Sequence, residues 1–348
     1  MTMDLKIQEL ASVSNPKSVH GIYPYRGKIS ALDAIQVVNQ LPSNKVLLDP
    51  FCGSGTIVYE GAKRGMSAIG VDLNPVAQVI TAGKLNIDQN LSNELESIQR
   101  VIDLAKELTT VKAMPEAASK HFHSESADQI MRILEHKGAL SAYGLACVYG
   151  AICLTARGCN DYKWTSSTVG KDIIPKRNIN FYEKLVLKVK KHHYPLGSTS
   201  NSRLISSDAR TLAEHIQSDS VDYVFTSPPY FDCLDYTAYY AKIIMEILGN
   251  DRSEIKSDLI QNFGTYEQSM KVVLEQLHEV VKDGGKVLFV VGDKKVHGAV
   301  INGADFFNDL TPFKKVKTIE RSYTGSSSQI FDTLNKTTRK EQIVVWTK

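Results

Sequence analysis

The sequence predicts a doubly wound α/β fold: about seven strands, mostly parallel, flanked by helices and interrupted by a helical insertion. Three observations predict it. Short apolar runs recur, each followed by a segment with helical spacing, the pattern of strand–helix–strand units. The first run, Lys45-Val-Leu-Leu-Asp49, leads straight into Pro-Phe-Cys-Gly-Ser-Gly-Thr, a glycine turn that opens a helix. From about Leu85 to Tyr194 the strand signal is lost and long helical patterns replace it. At 348 residues the chain can bury a large core, as one elaborated domain or as a core with one insertion.

Taken in order, Ala31 to Leu41 is apolar at helical spacing, and Val46 to Leu48 is a buried strand. Thr56 to Arg64 continues as a helix, with Gly65 as its stop. Ala68 to Val71 is a second short strand ending at Asp72, and Asn74-Pro75 starts a helix through Ala82. Helical patterns follow at Leu91–Leu108, Ala127–Leu134, Leu140–Ala156 and Tyr182–Lys191, while Gly158 to Asn180 has little helical regularity. The sheet resumes with Arg203 to Ser206 and Val221 to Phe225. Tyr266 to Val281 is an amphipathic helix ended by Asp283-Gly-Gly285, and Lys286 to Val291 is the next strand. Val316–Ser322 and Gln342–Trp346 form a closing antiparallel pair. The chain thus divides into 1–84 with the glycine turn, a mostly helical 85–200, and 201–348.

Composition excludes more than it identifies. A net charge of +3 decides nothing alone; its distribution matters more. Cys52, Cys147, Cys153, Cys159 and Cys233 are odd in number without close pairs, which reads as buried or incidental thiols in a reducing compartment. Met1 to Pro16 carries Asp4, Lys6 and Glu9 and is no ordinary signal peptide. No run of about 18 apolar residues exists, so no membrane span is expected, and the cytoplasm is the expected location. The adjacent His192 and His193 do not share one helix face, so no metal site is expected.

A glycine turn after a strand brings backbone N–H groups and a helix N-terminus close to a ligand, and Gly53 and Gly55 remove the side chains that would block it. The spacing is not Gly-x-Gly-x-x-Gly and there is no Walker lysine; Asp49 would repel a phosphate. An adenosine that carries an amino acid suits the turn better, its carboxylate near the glycine amides and an acid near its ammonium. Asp72 lies 23 residues after Asp49 at the next strand end, where nucleoside-binding folds place an acid on the ribose hydroxyls. Asp208, after the third strand, sits where an adenine amino group would be met, although an acid at a strand end equally caps a helix.

Asp-Pro-Phe-Cys-Gly-Ser-Gly-Thr followed by Gly-Val-Asp-Leu-Asn-Pro closely resembles the cofactor loop of the S-adenosylmethionine-dependent amino-methyltransferases of DNA, which modify cytosine N4 or adenine N6. His20-Gly-Ile-Tyr-Pro-Tyr-Arg-Gly-Lys28 resembles the His-x-Tyr-Pro-x-Lys segment that precedes that loop in some of them and helps close the methionine end of the pocket. Thr226-Ser-Pro-Pro-Tyr230, directly after a strand, resembles their catalytic loop. The resemblance covers roughly 20–84 and 203–348. It implies a seven-stranded Rossmann-like methyltransferase sheet with target recognition in the insertion. It also implies S-adenosylmethionine as cofactor, at a site of Tyr25, Asp49, Phe51, Gly53, Gly55, Thr56, Asp72 and Asp208. Double-stranded DNA is the implied partner, and any cognate restriction endonuclease would act independently.

The catalytic loop has its own physical reading. An exocyclic base amine is a poor nucleophile because its lone pair is delocalised into the ring. Two acceptors aimed at its N–H groups turn that lone pair out; Ser227 and the Pro228 carbonyl are the candidates, preorganised by Pro228 and Pro229. Tyr230 offers a stacking face for a base turned out of the duplex. Asp232, Asp235 and Tyr236 follow and are pocket candidates. Carbon-5 chemistry needs a cysteine that typically follows proline, and no Pro-Cys occurs. Serine before Pro-Pro-Tyr resembles the cytosine-N4 group; adenine N6, guanine N2 of RNA and a non-catalytic subunit stay open.

Between Arg157 and Lys191 nine basic residues face three acids, a local excess of nine minus three, +6. With Trp164, Phe181 and Tyr182 interleaved, this stretch suits phosphate contact through Arg157, Lys163, Lys176, Arg177, Lys188, Lys190 and Lys191.

Overall fold

A computed structural model describes residues 18–25, 29–156, 175, 177–197, 201–229, 237, 241–296, 299–324 and 338–348. Seven strands form one sheet in the order β3-β2-β1-β4-β5-β9-β8. The strands are β1 (Val46–Asp49), β2 (Ser67–Val71), β3 (Arg203–Ile205), β4 (Val221–Thr226), β5 (Val281–Gly292), β8 (Lys314–Thr324) and β9 (Thr338–Thr347). β1 to β5 are parallel, β9 enters antiparallel between β5 and β8, and β6 (Lys294–Val296) pairs with β7 (Ala299–Ile301) as a separate hairpin. The expected mostly parallel seven-stranded sheet is the one observed.

Strand order explains where a ligand can sit. From β1 the chain builds outward through β2 to β3, then returns to place β4 on the other side of β1. The reversal between β1 and β4 is a topological switch point, where open α/β sheets leave a crevice beyond the strand ends. Both sequence motifs leave the sheet there, one after Asp49 and the other after Thr226.

Two apolar cores sandwich the sheet. One face is covered by the long helix Phe263–Val280 and the helix Gly303–Leu310, through Met270, Leu274, Leu277 and Phe307 against Phe289 and Trp346. The other is covered by α1 (Ala31–Val38), α2 (Thr56–Lys63), α3 (Pro75–Leu85) and the insertion helices. The latter are α4 (Leu91–Glu107), α5 (Glu116–Ser119), α6 (Ser124–Glu135), α7 (Ala142–Ala156) and α8 (Phe181–His192). Twelve of the fifteen residues of α7 are buried, because it packs on all sides. It crosses α3 where a Cβ on Gly83 would lie 2.4 Å from that of Ala146, and it meets the segment 18–25 where a Cβ on Gly150 would lie 1.8 Å from the Ile22 carbonyl. The insertion therefore shares its core with the sheet instead of standing apart from it.

Details differ from expectation where local geometry overrode pattern. β5 begins at Val281, not Lys286: Val281 already pairs with Val221, and a register shift that takes in Gly284 (φ +77°) separates that pair from Tyr223–Lys286. The β6–β7 hairpin and the helices Lys242–Leu248 and Arg252–Asp258 were not foreseen; each is too short to build a period.

Candidate active site

The glycine turn is held by its neighbours, not by its own side chains. Gly53 (φ +50°) and Gly55 (φ +69°) are in the left-handed region. The Thr81 hydroxyl on α3 donates to the Gly53 carbonyl (2.9 Å), and the Gly55 N–H donates to the Cys52 carbonyl (2.7 Å). A Cβ on Gly55 would sit 2.6 Å from Thr81 Oγ1, and one on Gly53 would lie 3.3 Å from the Tyr25 ring. Asp72 grips the same turn: Oδ2 accepts from the Gly53 N–H (2.7 Å) and Oδ1 from the Asn74 N–H (2.8 Å). Each carboxylate oxygen keeps a second lone pair for a ligand hydroxyl.

Two hydroxyls in the turn lack partners. Ser54 Oγ and Thr56 Oγ1 are buried and, among the described residues, accept and donate nothing. A buried polar group left unmatched costs about 1–3 kcal/mol, so the pair marks a place built for a polar ligand. A carboxylate-bearing nucleoside fits that donor set, with the glycines giving close backbone approach.

Electrostatics agree. Burial pushes the Asp49 carboxyl up to about 7, opposed by the hydrogen bonds from Thr226 and the Phe51 N–H and raised further by the neighbouring Asp72 charge. Burial likewise raises Asp72 to about 6, against the pull of the Asn74 and Gly53 amides. Two buried acids held near neutrality favour a cation beside them, because an ammonium repays the desolvation that raised them.

The second loop meets the first directly. Thr226, the last residue of β4, donates its hydroxyl to Asp49 Oδ1 at 2.6 Å, inside the sheet edge. Ser227 and Pro229 are half-buried and Pro228 is buried. At the far side the Tyr266 hydroxyl, on the Phe263–Val280 helix, donates to the Pro229 carbonyl at 2.6 Å. Tyr230, Asp232, Asp235 and Tyr236 lie outside the described residues. Sequence reasoning missed Thr226, Thr81 and Tyr266. Thr226 had a signal, being a polar residue at the buried end of a strand beside the one that ends in Asp49. Tyr266 had none, since forty residues separate it from Thr226.

Segment 18–25 is anchored from below. His20 Nε2 lies 2.7 Å from Glu60 Oε1, and Lys84 Nζ lies 3.2 Å from His20 Nδ1. An ammonium only donates, so Nδ1 accepts and Nε2–H donates to Glu60. Val19, His20, Ile22, Tyr23 and Tyr25 of this segment are buried, and Tyr25 is the residue that reaches Gly53. Phe51 is half-buried beside Asp49, its N–H 3.3 Å from Oδ1.

Two expectations are corrected. Asp208 caps its own turn through the Arg210 N–H (2.7 Å), and both its oxygens are bonded by the Arg210 guanidinium, so its carboxylate is committed to the protein. Lys188 is buried and donates to the Gly21 carbonyl at 3.2 Å, so it offers no charge to a phosphate. Helical spacing places it on the inner face with Leu185, Val189 and His192, while Lys190 and Lys191 are exposed. Arg177 is exposed; Arg157, Lys163 and Lys176 lie outside the described residues. Among the described residues no group of three or more His, Cys, Asp or Glu is placed to hold a metal, and no helix is long and apolar enough to cross a membrane.

No family model matches the chain. The type II methyltransferase M.AvaI of Nostoc sp. is 22% identical over 289 residues, covering 72% of this chain. M.MjaII of Methanocaldococcus jannaschii is 35% identical over 83 residues, or 24% of this chain. The chain is a distant homologue of type II DNA methyltransferases. It spans 59% of the length of M.AvaI and 16% of that of M.MjaII. Among solved structures, the rRNA methyltransferase aviRa from Streptomyces viridochromogenes overlays at a TM-score of 0.36 with 13% identity, covering 92% of this chain and 87% of its own. Strand order, not that overlay, establishes the fold.

Proposed function

We propose that the chain transfers a methyl group from S-adenosylmethionine to the exocyclic N4 of a cytosine turned out of duplex DNA. The observation that carries the proposal is the hydrogen bond between Thr226 and Asp49, which joins the start of the Ser-Pro-Pro segment to the acid of the glycine turn. Cofactor acid and amine-binding loop then share one crevice. The distant homology supports DNA as the substrate class.

In this reading Asp49 receives the cofactor's ammonium, and the Ser54 and Thr56 hydroxyls with the turn's amides receive its carboxylate. Asp72 uses its remaining lone pairs on the ribose, and Tyr25 covers the turn. S-adenosylmethionine, when bound, supplies the methyl: its carbon–sulfur bond breaks as a carbon–nitrogen bond forms, and the amine's surplus proton leaves to solvent. Ser227 and the Pro228 carbonyl accept the amine's N–H groups, and Tyr230 stacks on the base. Arg177, Lys190 and Lys191 contact the DNA backbone, together with Arg157, Lys163 and Lys176. The β8–β9 pair adds a two-stranded ribbon on the same edge: Glu341 pairs with Gly292 at the end of β5, while Lys340 to Thr338 continue beyond it along β8. A ribbon of that width fits a major groove.

The test is methyl transfer from labelled S-adenosylmethionine to duplex DNA, single-stranded DNA and tRNA, with nucleosides resolved by mass spectrometry. N4-methylcytosine in duplex DNA is expected. N6-methyladenine would reassign the base, and label confined to tRNA would overturn the DNA reading. Ser227→Ala should slow the transfer step by about 10²–10³-fold with both ligands still bound, the usual loss on removing one preorganised polar contact.

A further inference from the structure

We propose that Thr226 is a positioning residue: its hydrogen bond to Asp49 makes the geometry of the Ser227–Pro229 loop depend on what occupies the cofactor crevice. The proposal rests on the methyl-transfer reading above and gives Thr226 a role that reading does not assign, coupling the loop to the occupant of the crevice.

Three observations support it. First, the bond is buried and short: Thr226 is 0% and Asp49 3% exposed, with 2.6 Å between Oγ1 and Oδ1. Second, the main-chain register between β1 and β4 runs through Leu47–Tyr223 and Leu48–Val224, so the side-chain bond joins the two strand tips just past the ladder. Third, the other end of the loop is held by Tyr266 on a helix remote from the glycine turn. Of the two anchors, only Thr226 touches a group that a cofactor would contact.

The coupling follows from charge. Among the described residues no donor is directed at Asp49 Oδ2, which is left for an ammonium. The titratable groups facing Asp49 are Asp72, at the end of β2, and Cys52 in the turn, and β4 faces it with Thr226. None of these is a cation, so a ligand ammonium beside Asp49 favours its ionised form. A hydroxyl bonded to a carboxylate is held about twice as strongly as one bonded to a neutral acid. Cofactor binding therefore tightens the residue that precedes Ser227. By linkage, a base held in the loop tightens the cofactor by the same factor.

The experiment compares wild type, Thr226→Val, which keeps the shape and loses the donor, and Thr226→Ser, which restores it. Binding of S-adenosylhomocysteine, which carries the ammonium and no methyl, is measured by calorimetry across neutral pH. Wild-type affinity should rise with pH as Asp49 ionises. Thr226→Val should bind about tenfold to a hundredfold more weakly at neutral pH and reach its plateau at higher pH, and serine should return both. Single-turnover methylation of unmodified genomic DNA at saturating S-adenosylmethionine should stay slow in Thr226→Val, because saturation cannot reposition the loop. In the Asp49→Asn background, where the acceptor carries no charge, the same change should have a smaller effect on the remaining affinity and no pH dependence. Should valine prevent folding, Thr226→Ala replaces it in this cycle. If wild type binds and methylates while Thr226→Val equals it in pH profile and saturated rate, the Thr226 proposal falls alone. If wild type does not bind S-adenosylhomocysteine, the cofactor reading falls and takes this proposal with it.

Discussion

Asp49→Asn should stabilise the ligand-free protein while it weakens cofactor binding. The wild-type carboxyl rises from 3.8 to about 7 on burial, so between those values the folded chain holds a proton that the unfolded chain has lost. Stability contributed by this group therefore falls as pH rises from about 4 to about 7 and is flat above, by up to about 4 kcal/mol at 1.36 kcal/mol per unit. Asparagine keeps an oxygen for Thr226 and the Phe51 N–H but brings an amide N–H₂ that needs an acceptor, at a cost of about 1–3 kcal/mol. The net gain near pH 8 is then about 1–3 kcal/mol. Urea unfolding of both proteins at about pH 5 and about pH 8 measures it. The wild type should lose stability relative to the variant as pH rises, and the variant should lose S-adenosylhomocysteine binding by at least about tenfold. A stability difference that is independent of pH would refute the assignment of Asp49 as the strained acid. Unchanged affinity would remove it from the crevice.

Other substitutions separate roles that sequence alone merges. Gly55→Ala should cost about 1–2 kcal/mol in backbone strain plus the clash with Thr81, and abolish cofactor binding, whereas Gly65→Ala, equally left-handed (φ +82°) but facing open space, should cost the strain alone and leave calorimetric binding intact. Lys188→Met should lower stability by about 1–3 kcal/mol through the orphaned Gly21 carbonyl, without changing the salt dependence of DNA binding. Lys190→Gln with Lys191→Gln should instead flatten the slope of log affinity against log salt by about 0.9 per lost phosphate contact. Tyr266→Phe should cost about 0.5–1.5 kcal/mol and slow turnover while cofactor affinity, read by calorimetry, stays unchanged.

The fold was legible because its signals are local. Each apolar run adjoined a turn or cap that named its end, such as Gly65 after α2 and Asn74-Pro75 before α3. The glycine turn was legible for the same reason, being a contiguous string. What stayed hidden was contact between strings. Lys188 looked like one more cation in a basic stretch, and only the α8 face turned toward Gly21 distinguishes it from Lys190. Asp208 looked like Asp72, since both follow strands; Arg210, two residues on, decides its partner. Tyr266 reaches Pro229 from a helix whose amphipathic pattern assigned it only to the core.

The close crossings of α7 bear on how the insertion could be exchanged between relatives. A recognition segment joined through flexible linkers can be transplanted whole. Here two glycines without room for a methyl, Gly83 and Gly150, lock the insertion to α3 on one side and to the chain entering at Ile22 on the other. A graft that replaced the insertion alone would bring foreign side chains against those two seams. The transplantable unit is instead the insertion with α3 and residues 18–25, and that unit carries with it Tyr25 and Thr81, both of which shape the glycine turn. Replacing the insertion would thus also change how firmly the protein holds the crevice where Asp49 sits.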